Sequence, residues 1–156
     1  MIRLVDLLKE EHMSKDIRIH MSKKPLILKN KTYSQSPASK PNGFWYGFGD
    51  SWLDWVDQNM PEWKGKYIYQ VDIADSNVLK IKTYQQLISF TKEYSISQFQ
   101  IDWKKVSSKY AGIEINPYQH KARMNMDFLW YYGWDIGSGC IWDHSKVKLV
   151  SITPNN

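Results

Sequence analysis

The chain has 156 residues and a formal net charge of +5, with ten Tyr, eight Trp and five Phe but a single Cys. That length predicts one domain with a sizeable core, and the lone Cys140 excludes an intramolecular disulfide and a multi-cysteine metal site. No apolar run approaches the roughly 20 residues of a membrane-spanning helix, and MIRLVDLLKEEH at the start lacks the features of a secretory signal. We therefore expect a cytoplasmic protein without a membrane partner.

The positive charge is concentrated in one segment, residues 15–40, which we call the basic segment. Seven cationic side chains oppose a single acid there, a net charge of +6, so the rest of the chain sums to −1. Such a cluster attracts an anionic partner such as nucleic acid or a dinucleotide, although a lysine-rich loop that only keeps a protein in solution has the same composition. The charged residues of the basic segment are Lys15, Asp16, Arg18, Lys23, Lys24, Lys29, Lys31 and Lys40.

Taken in chain order, the first elements are short. Apolar residues at helical spacing predict an N-terminal helix within residues 1–14, and residues 17–21 alternate as a strand that carries Arg18 and His20 on one face. Residues 29–42, rich in Ser, Pro and Asn, predict a mobile loop. An aromatic strand is expected at 43–48, followed by a helix that Ser51 caps.

The second half mixes strands and helices without a regular rhythm. Strands are predicted at 67–73, 78–81, 112–116, 139–143 and 147–152, with a turn at 75–77. Thr83 and Gln86 match the capping box of a helix that runs to Tyr94, and Asp102 predicts the cap of a short helix. Because no βαβ repeat is present, a doubly wound parallel sheet is excluded. The prediction is a single α+β domain over residues 1–156.

Several catalytic motifs are absent. The chain contains no GxxxxGK[ST] phosphate loop, no GxGxxG, no HExxH and no GxSxG. This disfavours P-loop nucleotide hydrolysis, hydride transfer on a Rossmann domain and zinc proteolysis. The four His residues are scattered along the chain, so no metal is expected.

Three stretches are informative, residues 19–22, 40–55 and 130–147, and the motifs that they carry are residues 19–22, 43–46 and 140–148. In that order they resemble the three signature blocks of the ADP-ribosyltransferase superfamily, especially the branch with a His-Tyr-Glu pattern that includes diphtheria toxin and the poly-ADP-ribose polymerases. The chain also looks like a small phage and bacterial group with a Trp-Asp-x-x-Ser-Gly-Cys-Ile-Trp block. The resemblance implies two packed, mostly antiparallel sheets with short flanking helices around an NAD cleft, and transfer of ADP-ribose by a toxin or phage–host conflict factor.

The resemblance also implies a role for each residue that binds NAD. His20 holds the adenosine-side ribose, and Ser22 supports the same strand edge. Gly43 leads into the second block with Tyr46, and Trp45 stands at the place of the aromatic residue that stacks on nicotinamide. The expected ligand is NAD as a substrate.

The remaining roles fall on a helix and on the third block. Trp52 or Trp55 is expected to cover the opposite face of nicotinamide. Ser138 stands where the family has its glutamate, so the catalytic acid is expected to be Asp135, which a turn can present to the site, or, second, Glu114, which is flanked by two isoleucines. A salt bridge to a neighbouring lysine is the alternative explanation for Glu114.

A carboxylate matters because cleavage of the bond between nicotinamide and ribose passes through an oxocarbenium-like transition state, which a negative charge stabilises. The same group can deprotonate the acceptor. With Ser138 in place of the glutamate, slow transfer, NAD hydrolysis and binding without turnover are all open.

Two functions therefore remain. One is a mono-ADP-ribosyltransferase whose acceptor is a protein or a nucleic acid, with an antitoxin or immunity protein as a further partner. The other is a nucleic-acid-binding module without catalysis, in which lysines of the basic segment contact phosphates and aromatic side chains stack on bases.

Overall fold

The computed structural model describes residues 16–29, 31–74 and 77–155. The strands are β1 Arg18–Ser22, β2 Phe44–Phe48, β3 Tyr67–Ile73, β4 Val78–Ile81, β5 Ser95–Ser97, β6 Gln100–Ile101, β7 Gly112–Ile115, β8 Ser138–Ile141 and β9 Val147–Pro154. The α-helices are α1 Ser51–Asn59, α2 Tyr84–Tyr94, α3 Trp103–Ser107 and α4 His120–Arg123, and 3-10 turns cover Pro61–Trp63, Met126–Tyr131 and His144–Lys146.

The main sheet has seven strands in the order β4-β7-β8-β2-β1-β3-β9. The β4–β7 pair is parallel and the other neighbours are antiparallel. The predicted α+β class is confirmed, but the arrangement of the strands differs from the expected pair of packed sheets. One seven-stranded mixed sheet is accompanied by the separate hairpin β5–β6.

The centre of the sheet is split. Only Arg18 and Ile19 of β1 pair with β2, whereas β1 stays paired with β3 as far as Ser22 and β2 stays paired with β8 along 44–47. Beyond Ile19 the two halves of the sheet therefore diverge, and the Trp45 carbonyl is hydrogen-bonded to the His20 side chain instead of to the β1 backbone.

Apolar side chains cover both faces of the sheet because residues alternate along each strand. One face packs under α2, α3 and a cluster of tryptophans, of which Trp103, Trp130 and Trp134 are among the largest fully buried side chains. Phe44, Tyr46 and other residues of β2 and β3 form the core on the opposite face. Trp45, between Phe44 and Tyr46, thus points toward the tryptophan side.

Of three predicted helix N-caps, two are confirmed and one is wrong by one residue. Thr83 and Gln86 form the complete capping box of α2, and the Asp102 side chain accepts from the Lys105 amide at the start of α3. The predicted N-cap of α1 is wrong by one residue: Asp50 is the N-cap, and the Ser51 hydroxyl instead donates to the Phe48 carbonyl at 2.7 Å.

Three further predictions concern the N-terminal residues, the turn at 75–77 and the loop at 29–42. The predicted N-terminal helix, and residues 75 and 76 of the predicted turn, lie outside the described residues. The 31–42 stretch has no regular element, as expected, yet backbone hydrogen bonds join Tyr33 to Trp142 and Ala38 to Ile101; its mobility stays a prediction. Within the described ranges, no helix is long and apolar enough to cross a bilayer.

Candidate functional site

A cavity of about 500 Å³ opens where β1 and β2 diverge. This volume is within the range of small-molecule sites, and we call the cavity the cleft. Its walls come from the split strands, from α1 and the turn after it, and from the segment before β8. Among the predicted site residues, those that line it are His20, Trp45, Tyr46, Trp52, Asp135 and Ser138.

His20 occupies the gap in the sheet. Its ring stacks on Phe44 with centroids 4.3 Å apart, and its Nδ1 lies 2.5 Å from the Trp45 carbonyl oxygen. A carbonyl oxygen only accepts, so Nδ1 carries the hydrogen and Nε2 of the neutral ring is an acceptor. Burial lowers the pKa of His20 against the opposing effect of the Trp45 hydrogen bond, which keeps the ring neutral at pH 7.

Tryptophans form the apolar walls of the cleft. Trp45 packs edge-on against Trp134, with ring centroids 5.1 Å apart. Trp52 and Trp63 line the cleft from α1 and the following turn, and Trp63 is 49% exposed. Aromatic walls of this kind favour a planar ligand.

Charged groups meet at one end of the cleft. The Asp135 carboxylate lies 3.3 Å from Nη1 of Arg123. The Lys40 ammonium lies 5.8 Å from the centre of the Trp45 ring; partial burial lowers the pKa of Lys40, and the negative charge of Asp135 opposes that effect. Asp135 is therefore a carboxylate in the cleft with two cations near it.

Glu114 does not line the cleft. It is 5% exposed and lies on the face of Phe44 and Tyr46, where it accepts from Arg18 Nε at 2.8 Å and from the Tyr46 hydroxyl at 2.9 Å. An ion pair thus explains this acid between two isoleucines, although the partner is Arg18 and not a lysine. Its contacts with Arg18 and Tyr46 give Glu114 a structural role, and it is not among the residues that line the cleft; a catalytic Glu114 stays a prediction.

The charges of this network stabilise one another. Burial disfavours the charged form of Arg18, but the hydrogen bond and charge of Glu114 outweigh it and raise the pKa of the guanidinium. Burial and the Glu114 charge raise the pKa of Tyr46 well above its usual value. The Tyr46 ring crosses β8 at Gly139, where a Cβ would come within 2.5 Å of the Tyr46 hydroxyl oxygen.

Three other predicted site residues lie outside the cleft lining. The Ser22 hydroxyl donates to the Lys24 carbonyl at 2.6 Å in a local turn. Gly43 lets β2 approach β8, since a Cβ there would come 2.7 Å from the Ile141 carbonyl oxygen. Trp55 stacks on the back of Trp52, with centroids 5.4 Å apart and planes 7° from parallel.

Lys40, Trp63 and Trp134 line the cleft although none of them was predicted as a site residue. Lys40 belongs to the basic segment and Trp134 opens the Trp-Asp-x-x-Ser-Gly-Cys-Ile-Trp block, but neither feature by itself assigns the side chain to a binding site. In the described part of the chain, no three His, Cys, Asp or Glu side chains are grouped so that they could hold a metal ion.

Compared with models of protein families, with curated proteins and with solved structures, the chain matches none of them.

Proposed function

We propose that the protein is an NAD-dependent mono-ADP-ribosyltransferase of ADP-ribosyltransferase-like fold. The observation that supports this proposal most strongly is the convergence of the three resembled blocks. Residues 19–22, 43–46 and 140–148 contribute to β1, β2 and β8, which are neighbours in the sheet, and the cleft lies where the first two of these strands diverge.

The cleft offers a suitable group for each part of NAD. Trp45 and Trp52 provide aromatic surfaces for the planar nicotinamide. Nε2 of His20, an acceptor in the neutral ring, suits a ribose hydroxyl as donor. The Lys40 ammonium is a cation for the diphosphate. Holding a sugar and its leaving group in one orientation lowers the entropic part of the barrier.

In the proposed reaction the bond between nicotinamide and ribose C1 breaks, and its electron pair leaves with neutral nicotinamide. The developing positive charge on the ribose is stabilised by the Asp135 carboxylate, the acid that lines the cleft. An acceptor nucleophile bonds to C1 and gives up its proton to Asp135 or to solvent. Since the cations Arg123 and Lys40 lie near Asp135 and offset its negative potential at the ribose, we expect slow turnover.

The test combines a melting curve with a product assay. NAD at about a hundred times its Kd stabilises the folded state by about 2.7 kcal/mol, which raises Tm by about 5–10 °C for a domain of this size. We expect that rise, and nicotinamide release, for the wild type and for His120→Gln, which alters an exposed histidine outside the cleft lining. His20→Gln should lose both. The proposal would be refuted if NAD did not raise the Tm of the wild type and the wild type released no nicotinamide with cell extract present as a source of acceptors.

A nucleic-acid-binding module without catalysis is the second candidate. It is favoured by the exposure of Lys23, Lys24, Lys29 and Lys31 along the basic segment. This function predicts an oligonucleotide affinity that falls steeply with salt and is unchanged by NAD. His20→Gln should leave that affinity intact, whereas it should abolish transfer.

A further inference from the structure

A second cavity, of about 490 Å³, adjoins the cleft and shares Trp45 with it. We call it the side cavity. Its lining is polar and aromatic and includes Lys31, Tyr33, Ser34, Asn42 and Trp45. It lies outside the set of residues that the resemblance assigned to NAD, apart from Trp45 and Gly43.

The wall of the side cavity is held in place by hydrogen bonds. Gln35 and Asn42 exchange two of them, at 2.6 and 2.9 Å, and the Asn42 side-chain amide donates to the Ser34 carbonyl at 3.1 Å. The Tyr33 amide donates to the Trp142 carbonyl at 2.8 Å. Lys31 Nζ lies 4.3 Å from the centre of the Tyr33 ring, so a cation and an aromatic face are presented together.

The chain segment that supplies the lining of the side cavity is positively charged. Residues 17–49 contain no Asp or Glu, and Lys23, Lys24, Lys29 and Lys31 are all exposed. Arg18, which belongs to the same stretch, is neutralised by Glu114. A polyanion is attracted to such a surface.

The opposite charge lies on α1, which contributes Trp52 to the cleft and nothing to the side cavity. Asp50, Asp54 and Asp57 are exposed there, and partial burial together with the charges of the other two raises the pKa of Asp54. A polyanion is therefore repelled from α1, so the two sides of Trp45 differ in the ligands that they favour.

We propose that the side cavity is the acceptor site and that the acceptor is a single-stranded nucleic acid. Phosphates contact Lys31 and the exposed lysines before it, and a base stacks on Tyr33 or Trp45. This acceptor site rests on the proposed transferase function. Because Trp45 belongs to both cavities, an acceptor nucleotide in the side cavity lies beside the NAD bond that breaks.

Transfer of ADP-ribose to the acceptor exchanges one bond at ribose C1 for another. An amino or hydroxyl group of the acceptor nucleotide forms the new bond to ribose C1. The bond between C1 and nicotinamide breaks, nicotinamide leaves with the electron pair, and the proton of the acceptor group passes to Asp135 or to water. No oxidant or further reactant is required.

The binding test uses fluorescein-labelled 12-nucleotide single strands of DNA and of RNA, measured by anisotropy over a salt series. We expect Lys29→Gln/Lys31→Gln to weaken binding about tenfold at low salt and to reduce the salt slope by about 0.7 for each lost phosphate contact. The control, Lys92→Gln, removes an exposed lysine of α2 outside both cavities and should match the wild type in slope. Equal affinity of the double variant and the wild type overturns the assignment.

The transfer test adds NAD labelled in its adenylate phosphate to the same strands. The acceptor site is supported if the wild type labels the oligonucleotide and the double variant does not, while NAD still raises the Tm of the double variant. Comparison of the DNA and RNA strands shows which sugar is preferred. Nicotinamide release with label only on protein or in free ADP-ribose overturns the nucleic-acid acceptor and leaves the proposed function standing. Oligonucleotide binding without nicotinamide release overturns both.

Discussion

Replacing Glu114 by Gln removes the charge at the centre of a buried network while keeping the size of the side chain. The Glu114 side chain is 7% exposed and that of its partner Arg18 is 17% exposed. Arg18 donates to both carboxylate oxygens, at 2.8 and 3.4 Å, and Tyr46 donates to one of them at 2.9 Å. The amide that replaces the carboxylate keeps only one acceptor oxygen, so the guanidinium is left mostly buried without a counter-charge.

The expected loss follows from that burial. Breaking a buried pair from one side costs about 3–5 kcal/mol because the other charge stays buried. We take the lower end, about 3 kcal/mol, since the amide oxygen still accepts one hydrogen bond. With about 3 °C per kcal/mol for a domain of this size, Tm should fall by about 10 °C.

The assay is urea unfolding followed by circular dichroism, arranged as a double-mutant cycle with Arg18→Met. We expect the double variant to be about 2 kcal/mol more stable than the sum of the single changes predicts, because it leaves no unpaired charge. Glu93→Gln is the matched control: its pair with Lys109 spans 3.6 Å with both side chains about half exposed, so Tm should be unchanged. A Glu114→Gln protein of wild-type stability that releases no nicotinamide would refute the structural role and restore the catalytic one.

Three further predictions concern single contacts. Burial lowers the pKa of His20 below its ordinary 6.5, so the unfolded chain takes up the proton first as the pH falls. The contribution of His20 to stability is therefore complete above pH 6.5 and is lost below it. The change in urea midpoint between about pH 7.5 and 5.5 should be smaller in His20→Gln than in the wild type. Gly139→Ala should cost about 1–3 kcal/mol by displacing the Tyr46 ring, whereas Gly133→Ala, whose Cβ would lie 3.5 Å from Lys40 Cε, should unfold at the wild-type guanidinium concentration. Lys40→Gln should weaken NAD binding about tenfold in calorimetry, the loss expected of one charge-assisted hydrogen bond. An unchanged affinity would show that Lys40 does not contact the diphosphate.

Much of the local structure follows from neighbouring residues. The capping box of Thr83 and Gln86 joins groups three positions apart, and the alternation of Val71, Asp72 and Ile73 reports the two faces of one strand. Such signals act within a single element, so they can be interpreted before the rest of the fold is known. The one-residue error at Ser51 arose because Asp50 and Ser51 both favour a helix start.

The residues of the candidate site were identified partly from the sequence and partly from the tertiary structure. The sequence pointed to His20 and Trp45 because their residue types and order resemble known blocks, and to Asp135 ahead of Glu114 because a turn can present an acid to a site. His20, Trp45 and Asp135 all line the cleft. The sequence could not show that Glu114 pairs with Arg18, because the two residues are 96 positions apart in the chain.

By itself, therefore, the sequence determined the α+β class and most element positions, and it pointed to several of the residues that line the cleft, since these depend on spacing and composition. Only the tertiary structure decided that the sheet splits after Ile19, that Lys40 and Trp134 join the cleft, and that Glu114 belongs to the core network. Each of these depends on pairing and packing between distant segments, where register and strand order set the neighbours of a side chain.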